Sequence, residues 1–239
     1  MTRPPGRALR DVAAVYIAYA PDLAFPGAAD TIRAFATAAV ASGVRRLVLL
    51  SGRGEEEALP SEQAVRDAGA AWTILRASWF AQNFSEHFLL EPVLGGMIAL
   101  PAGSVAEPFI DADDIADIAV TALTEGGHAG AMYELTGPRL LTFADVADEL
   151  TRVTGREVRY LPVTPEQYAL TAVRNGIPSE DVAPMIALFT RVLDGRNAHM
   201  TDDVERVLGR RPRDFAAYAR AAVATGVWAT HGAEREDDR

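Results

Sequence analysis

The chain has 239 residues, 49% of them apolar and 23% charged, the balance of one ordinary α/β domain or two small ones. It has no cysteine, and all 23 basic residues are arginine, which excludes disulfides, thiolate or Schiff-base catalysis, Cys-built zinc sites and a Tyr-x-x-x-Lys proton relay. A net charge of −10 argues against a nucleic-acid binder and no apolar stretch reaches a membrane span of roughly 20 residues, so the expectation is a cytoplasmic protein acting on small molecules.

Residues 1–10 are polar and Pro-rich, a loose lead-in without the apolar region of a secretory signal. Val12 to Ala20 is a nearly unbroken apolar run, short enough for a fully buried strand, and Pro21, Pro26 and Gly27 end it. Ile32, Phe35, Ala36, Ala39 and Val40 fall on one helical stripe, with Gly43 where a left-handed cap belongs. Leu47 to Leu50 form a second continuous strand that ends in Ser51-Gly52-Arg53-Gly54. A short helix over Pro60 to Ala68 and a third strand at Trp72 to Leu75 follow. Strand–helix alternation with short connections predicts parallel, consecutive strands at 12–20, 46–51 and 72–76, joined by right-handed crossovers.

Residues 79–91 read as a helix stopped by Pro92, then a short strand at Met97 to Leu100. Ile115, Ile118, Ala119, Ala122 and Leu123 make another helical stripe, entered through Asp111-Ala112-Asp113. Met132 to Leu135 is strand-like. Thr142 caps a helix running to Gly155, and Val158 to Val163 is again a strand. Thr164-Pro165-Glu166-Gln167 opens a further helix with a capping-box residue at its third position, and short helices continue to Trp228. The fold expected is α/β: a truncated Rossmann-like parallel sheet with a mainly helical C-terminal substrate-side region. The parts are the 1–10 lead-in, a partial Rossmann-like domain over 11–130, a substrate-side region over 131–229 and a frayed tail over 230–239.

Four phrases in order resemble the NmrA-like branch of the atypical short-chain dehydrogenase/reductase superfamily. They are GVRRLVLLSGRGEE at 43–56, SEQAVRDAGAAWTILRASWFAQNFSE at 61–86, PFIDADDIADIAVTALTE at 108–125 and YELTGPRLLTFADVADEL at 133–150. The resemblance covers residues 12–228. It implies an NAD or NADP cofactor, with Ala20, Pro21, Asp22, Ser51, Gly52, Arg53 and Ala77 on the cofactor side. Trp79, Phe80, Gln82, Asn83 and His87 would then line the substrate side. Two family features are not in this sequence. No G-x-x-G-x-x-G turn occurs, and Ala58 stands where the family carries a lysine, four residues before the glutamate matching Glu62. Without the neighbouring strand that the family has, the 12–20 strand becomes an apolar edge. Either the gene product starts upstream or a second copy covers that edge as a homodimer.

Each candidate has a plain structural alternative. Ser51, a weak candidate for catalysis, ends a strand on the carboxyl side, where doubly wound sheets hold ligands, but it could equally satisfy the turn at Gly52. Arg53 suits a phosphate or carboxylate, or pairs with Glu55 to Glu57. Gln82 and Asn83 could orient a carbonyl or cap a helix start, the latter role fitting Asn83 better. His87 could be a helix-surface residue. Asp111, Asp113 and Asp114 stabilise a helix start rather than bind a metal, and no metal site is expected. The Arg210-Arg211-Pro212-Arg213 cluster reads as a surface loop. Three functions compete: an NAD(P)-dependent oxidoreductase acting on a small carbonyl-bearing or aromatic metabolite, a non-catalytic NAD(P) or small-molecule sensor, and a cofactor-independent enzyme using Asp22, Glu62, His87 or a tyrosine.

Overall fold

The computed structural model describes residues 8–20, 22–174 and 177–229. Pro21, residues 1–7 of the lead-in and the 230–239 tail lie outside the described residues. In chain order the first elements are β1 (Ala14–Ile17), α1 (Ala28–Ala41), β2 (Arg46–Gly52), α2 (Leu59–Arg66) and β3 (Ala71–Ala77). Next come α3 (Leu90–Leu94), β4 (Met97–Leu100), β5 (Ala106–Glu107), α4 (Ala112–Thr124), β6 (Ala131–Leu135) and β7 (Leu141–Thr142). The chain continues through α5 (Phe143–Thr154), β8 (Arg159–Pro162), α6 (Pro165–Arg174), α7 (Ser179–Val192), α8 (Asp203–Leu208) and α9 (Phe215–Ala224). It divides into two compact units, the first from residues 1–78, 113–136 and 199–212, the second from 79–112, 137–198 and 213–239.

In the first unit a four-stranded sheet runs in the order β1-β2-β3-β6, parallel throughout. Leu47, Val48 and Leu49 of β2 are all fully buried, as a strand covered on both faces must be. Ile32, Ala36 and Ala39 of α1 and Ala64 and Val65 of α2 pack with Leu47, Leu49 and Ile74 in one cluster. Each leucine so buried contributes about 1.5–3 kcal/mol. At the end of α4, Arg46 donates to the carbonyls of Ala122 (3.0 Å) and Leu123 (2.7 Å), a cation on orphan C-terminal oxygens. Asp203 of α8 accepts the Glu134 backbone N–H of β6 at 2.7 Å.

The first strand is shorter than its apolar run. Only Ala14–Ile17 pairs, and only with β2, so Tyr16 is exposed and Ala14 and Val15 are half-buried. A strand with one neighbour leaves a row of backbone N–H and C=O groups unpaired along its open edge, and its side chains have no strand beside them on that side.

The second unit holds a parallel pair, β4 with β8, and an antiparallel pair, β5 with β7. Its core is aromatic: Phe84, Phe109, Phe143 and Phe215 are almost fully buried, with ring centroids 5.3–5.8 Å apart between Phe109 and its three partners. Thr142 and Asp145 form a reciprocal capping box on α5, and Gly155 ends that helix in the left-handed conformation (φ 67°). Thr164 and Gln167 bond reciprocally in the same way at the start of α6.

The helix expected over 79–91 does not form. A 3₁₀ turn at Ala81–Phe84 and the five-residue α3 take its place. Phe80 sits in a parallel bridge with Ile110: the Ile110 N–H donates to the Trp79 carbonyl (3.0 Å) and Ala81 N–H to the Ile110 carbonyl (2.8 Å). That long-range pairing holds Phe80 extended and removes the residues a first helical turn would need. No helix among the described residues is long and apolar enough to cross a membrane.

Candidate functional site

In the first unit, the carboxyl ends of β1, β2 and β3 bring together the predicted cofactor-side residues. Ser51 and Gly52 end β2, Ala77 ends β3, and the Arg53 N–H donates to the Ala77 carbonyl at 3.0 Å. Ala20 is exposed, and Asp22 accepts the Ala24 N–H at 2.8 Å in a tight turn.

Ser51 is buried, and its hydroxyl donates to Glu62 Oε1 at 2.8 Å. The same carboxylate, itself 2% exposed, receives Arg76 through a fork of 2.8 and 2.7 Å, and Arg66 at 3.4 Å. Glu62 therefore acts as an anchor for a serine and two arginines, and the Ser51 proton is committed to it. Arg53 is buried and ion-paired to Glu134 at 2.9 Å, and it also donates to the His199 carbonyl at 2.9 Å. That pairing anchors the guanidinium within the unit.

A second carboxyl occupies the same edge. The Glu55 side chain lies over the Cα of Gly52, so a Cβ at that position would meet its carboxyl carbon at 1.9 Å. Glu55 lies against Asp22, whose charge and hydrogen bond favour the protonated Glu55 carboxyl. Burial first, and then the Asp22 charge, pushes the Glu55 carboxyl up to about 8. Glu55 was not a ligand candidate in the sequence; the glycine three residues earlier was the available signal of a close approach.

The predicted substrate-side residues lie in the second unit. Trp79 packs edge-on to Phe143 (5.4 Å) and Phe88 (6.2 Å) and tilted on Phe189 (5.6 Å). Phe80 carries the bridge to Ile110. Gln82, not Asn83, takes the structural role: its amide donates to Asp111 Oδ1 (2.8 Å) and accepts the N–H of Ala112, first residue of α4 (2.9 Å). The Asn83 side chain makes no hydrogen bond among the described residues, while its carbonyl accepts the Leu89 N–H. His87 is exposed and sets its ring edge against Phe88. Tyr168 of α6, which the sequence did not single out, meets Phe189 at 5.5 Å, one helical turn inside the Thr164 cap. An apolar groove of about 420 Å³ runs between α6 and α7, lined by Pro165, Ala169, Val173, Val182 and Ile186 among others.

Asp114 is fully buried and pairs with Arg210 at 2.7 Å, and Arg210 also reaches Asp117 at 2.6 Å. The basic loop is thus a clamp on α4. Among the described residues no three His, Asp or Glu side chains are grouped to hold a metal ion.

No family model matches the chain. It is 34% identical over 200 residues to the NAD(P)H azoreductase of Xenophilus azovorans, covering 80% of this chain and 70% of that one. To the agroclavine dehydrogenase of Claviceps fusiformis it is 33% identical over 184 residues, 74% of this chain and 64% of that one. The chain thus spans about two thirds of the length of these relatives. Among solved structures, the NADPH-dependent quinone oxidoreductase of Escherichia coli in complex with NADPH shares the fold, with a TM-score of 0.78 over 91% of this chain and 79% of that one at 21% identity.

Proposed function

Because the chain belongs to the NmrA-like branch of the atypical short-chain dehydrogenase/reductase family, we propose that it is an NAD(P)-dependent oxidoreductase acting on a small carbonyl-bearing or aromatic metabolite in the cytoplasm. The similarity to an NAD(P)H azoreductase carries this reading, and the aromatic cluster around Trp79 supports a flat substrate. When bound, the cofactor would supply a hydride, and Ala20, Ser51, Gly52 and Ala77 are the residues that would hold its nicotinamide end. The small side chains of Ala20, Ser51 and Ala77 suit a flat ring, while the Glu55 carboxyl occupies the space over Gly52. No residues here form a glycine-rich cradle for a pyrophosphate, so no phosphate contact is assigned.

This chain's own residues have three tasks. Ser51, held by Glu62, accepts a hydrogen bond from the ligand. Glu55, raised by burial and by the neighbouring Asp22, keeps a proton on its carboxyl at the sheet edge. The aromatic cluster excludes water from the flat substrate. The same carboxyl pair favours a second reading, a cofactor-independent acid–base enzyme. We also propose that a second copy covers the open edge of β1 in a homodimer, since Tyr16 and half-buried Val15 stand on it.

Calorimetric titration of the whole chain with NADPH and NADH, followed by bleaching of an azo dye, tests the reading. Micromolar binding with dye reduction is expected. No binding at millimolar cofactor would overturn it in favour of the cofactor-free enzyme.

A further inference from the structure

The second unit holds two indoles with buried N–H groups, and they are treated differently. Trp228 Nε1 donates to the Phe84 carbonyl at 2.9 Å. Trp79 Nε1 is equally shut off from solvent and has no hydrogen-bond partner among the described residues. A buried donor without an acceptor is costly, and native structures keep few of them without a use. An indole nitrogen can only donate, so what it lacks is an acceptor.

Its surroundings narrow what that acceptor belongs to. Phe88 and Phe189 flank the indole, and their own rings lie 5.8 Å apart at 30°. On the far side of Phe189 stands Tyr168, whose phenol also makes no hydrogen bond among the described residues and which burial keeps protonated. Aromatic walls pair best with another flat ring, and of the two polar handles among them the Tyr168 hydroxyl can donate or accept while the Trp79 N–H can only donate. We propose that Trp79 selects the substrate: its indole N–H donates a hydrogen bond to a carbonyl oxygen or azo nitrogen carried by a planar aromatic ligand. This rests on the reductase reading above for the class of ligand, and adds the atom that recognises it.

The test compares two flat probes of the same size. 1,4-Naphthoquinone carries carbonyl acceptors and naphthalene carries none. In protein labelled with ¹⁵N at its three indoles, the Trp79 resonance is identified by its loss in Trp79→Phe. Naphthoquinone should move that indole proton downfield, and naphthalene should not. Trp79→Phe should weaken naphthoquinone binding about tenfold more than it weakens naphthalene binding, both measured by calorimetry.

Tyr168→Phe keeps the ring against Phe189 and removes only the neighbouring hydroxyl, and it should leave the Trp79 shift in place. Equal losses for both probes in Trp79→Phe would mean that the indole acts by packing, and would overturn the proposal. So would naphthoquinone binding with the Trp79 resonance unmoved, and either result leaves the reductase reading standing. If the wild-type chain binds neither naphthoquinone nor NADPH, the reductase reading falls and this proposal with it.

Discussion

Two carboxyl groups one hydrogen bond apart, Asp22 and Glu55, make the edge of the first unit sensitive to pH. The Glu55 carboxyl sits at about 8 in the fold against an ordinary 4.5, so the folded chain binds a proton more tightly than the unfolded one. Its contribution to stability is complete below about 4.5 and is lost as pH rises through about 8. Glu55→Gln keeps a neutral side chain at every pH. Thermal unfolding should therefore match wild type at pH 4 and show the variant more stable at pH 9, by about 1–2 kcal/mol once solvent relaxation around a half-buried group is discounted. Glu62 carries the opposite expectation. Removing it as Glu62→Ala strands the Arg76 fork and the Ser51 hydroxyl, and urea unfolding should register a loss of about 3–5 kcal/mol. Ser51→Ala removes a single hydrogen bond and should cost about 1 kcal/mol. A fall in turnover far beyond that stability loss would place the Ser51 oxygen in contact with substrate.

The elements that could be read directly are those whose signals are local. The reciprocal bonds of Thr142 with Asp145 and Thr164 with Gln167 lie within four residues, and the buried runs of β2 and β3 announce two-faced burial in their composition. The stretch after β3 could not be read this way. Its backbone is set by Ile110, some thirty positions away, and a helical pattern of apolar residues says nothing about such a partner. The same division runs through the site. The strand ends at Ser51 and Ala77 were legible from their place after apolar runs, but that Glu62 lies under Ser51 is a contact in space, and for Glu55 the one mark was the glycine three residues before it. Two changes test the local logic. Thr142→Ala opens the α5 capping box and should cost about 1 kcal/mol in thermal unfolding. Gly137→Ala places a Cβ 2.0 Å from the Phe109 carbonyl oxygen and should destabilise more, because a backbone atom cannot swing aside.

At the scale of the whole molecule, the open side of β1 is the feature that association would answer. Sedimentation at low micromolar concentration is expected to show a dimer, and Tyr16→Lys on that strand should shift it towards monomer by placing a charge on the edge. A sharp monomer peak for the wild-type chain would remove the homodimer from the proposed reading. The route of the chain has a separate consequence. It passes between the two units five times, and the first unit is finished only by residues 199–212. During synthesis β1, β2 and β3 emerge as a contiguous block, yet their fourth strand waits for the 79–112 excursion, and Arg210, the clamp on buried Asp114, emerges only near the end. A nascent chain therefore carries a three-stranded parallel sheet until residue 135 is made, and a first unit without its last segment until residue 212, a state prone to wrong pairing. Stalled ribosomes bearing 198 residues should yield a protease-sensitive first unit, and release of the finished chain should protect it.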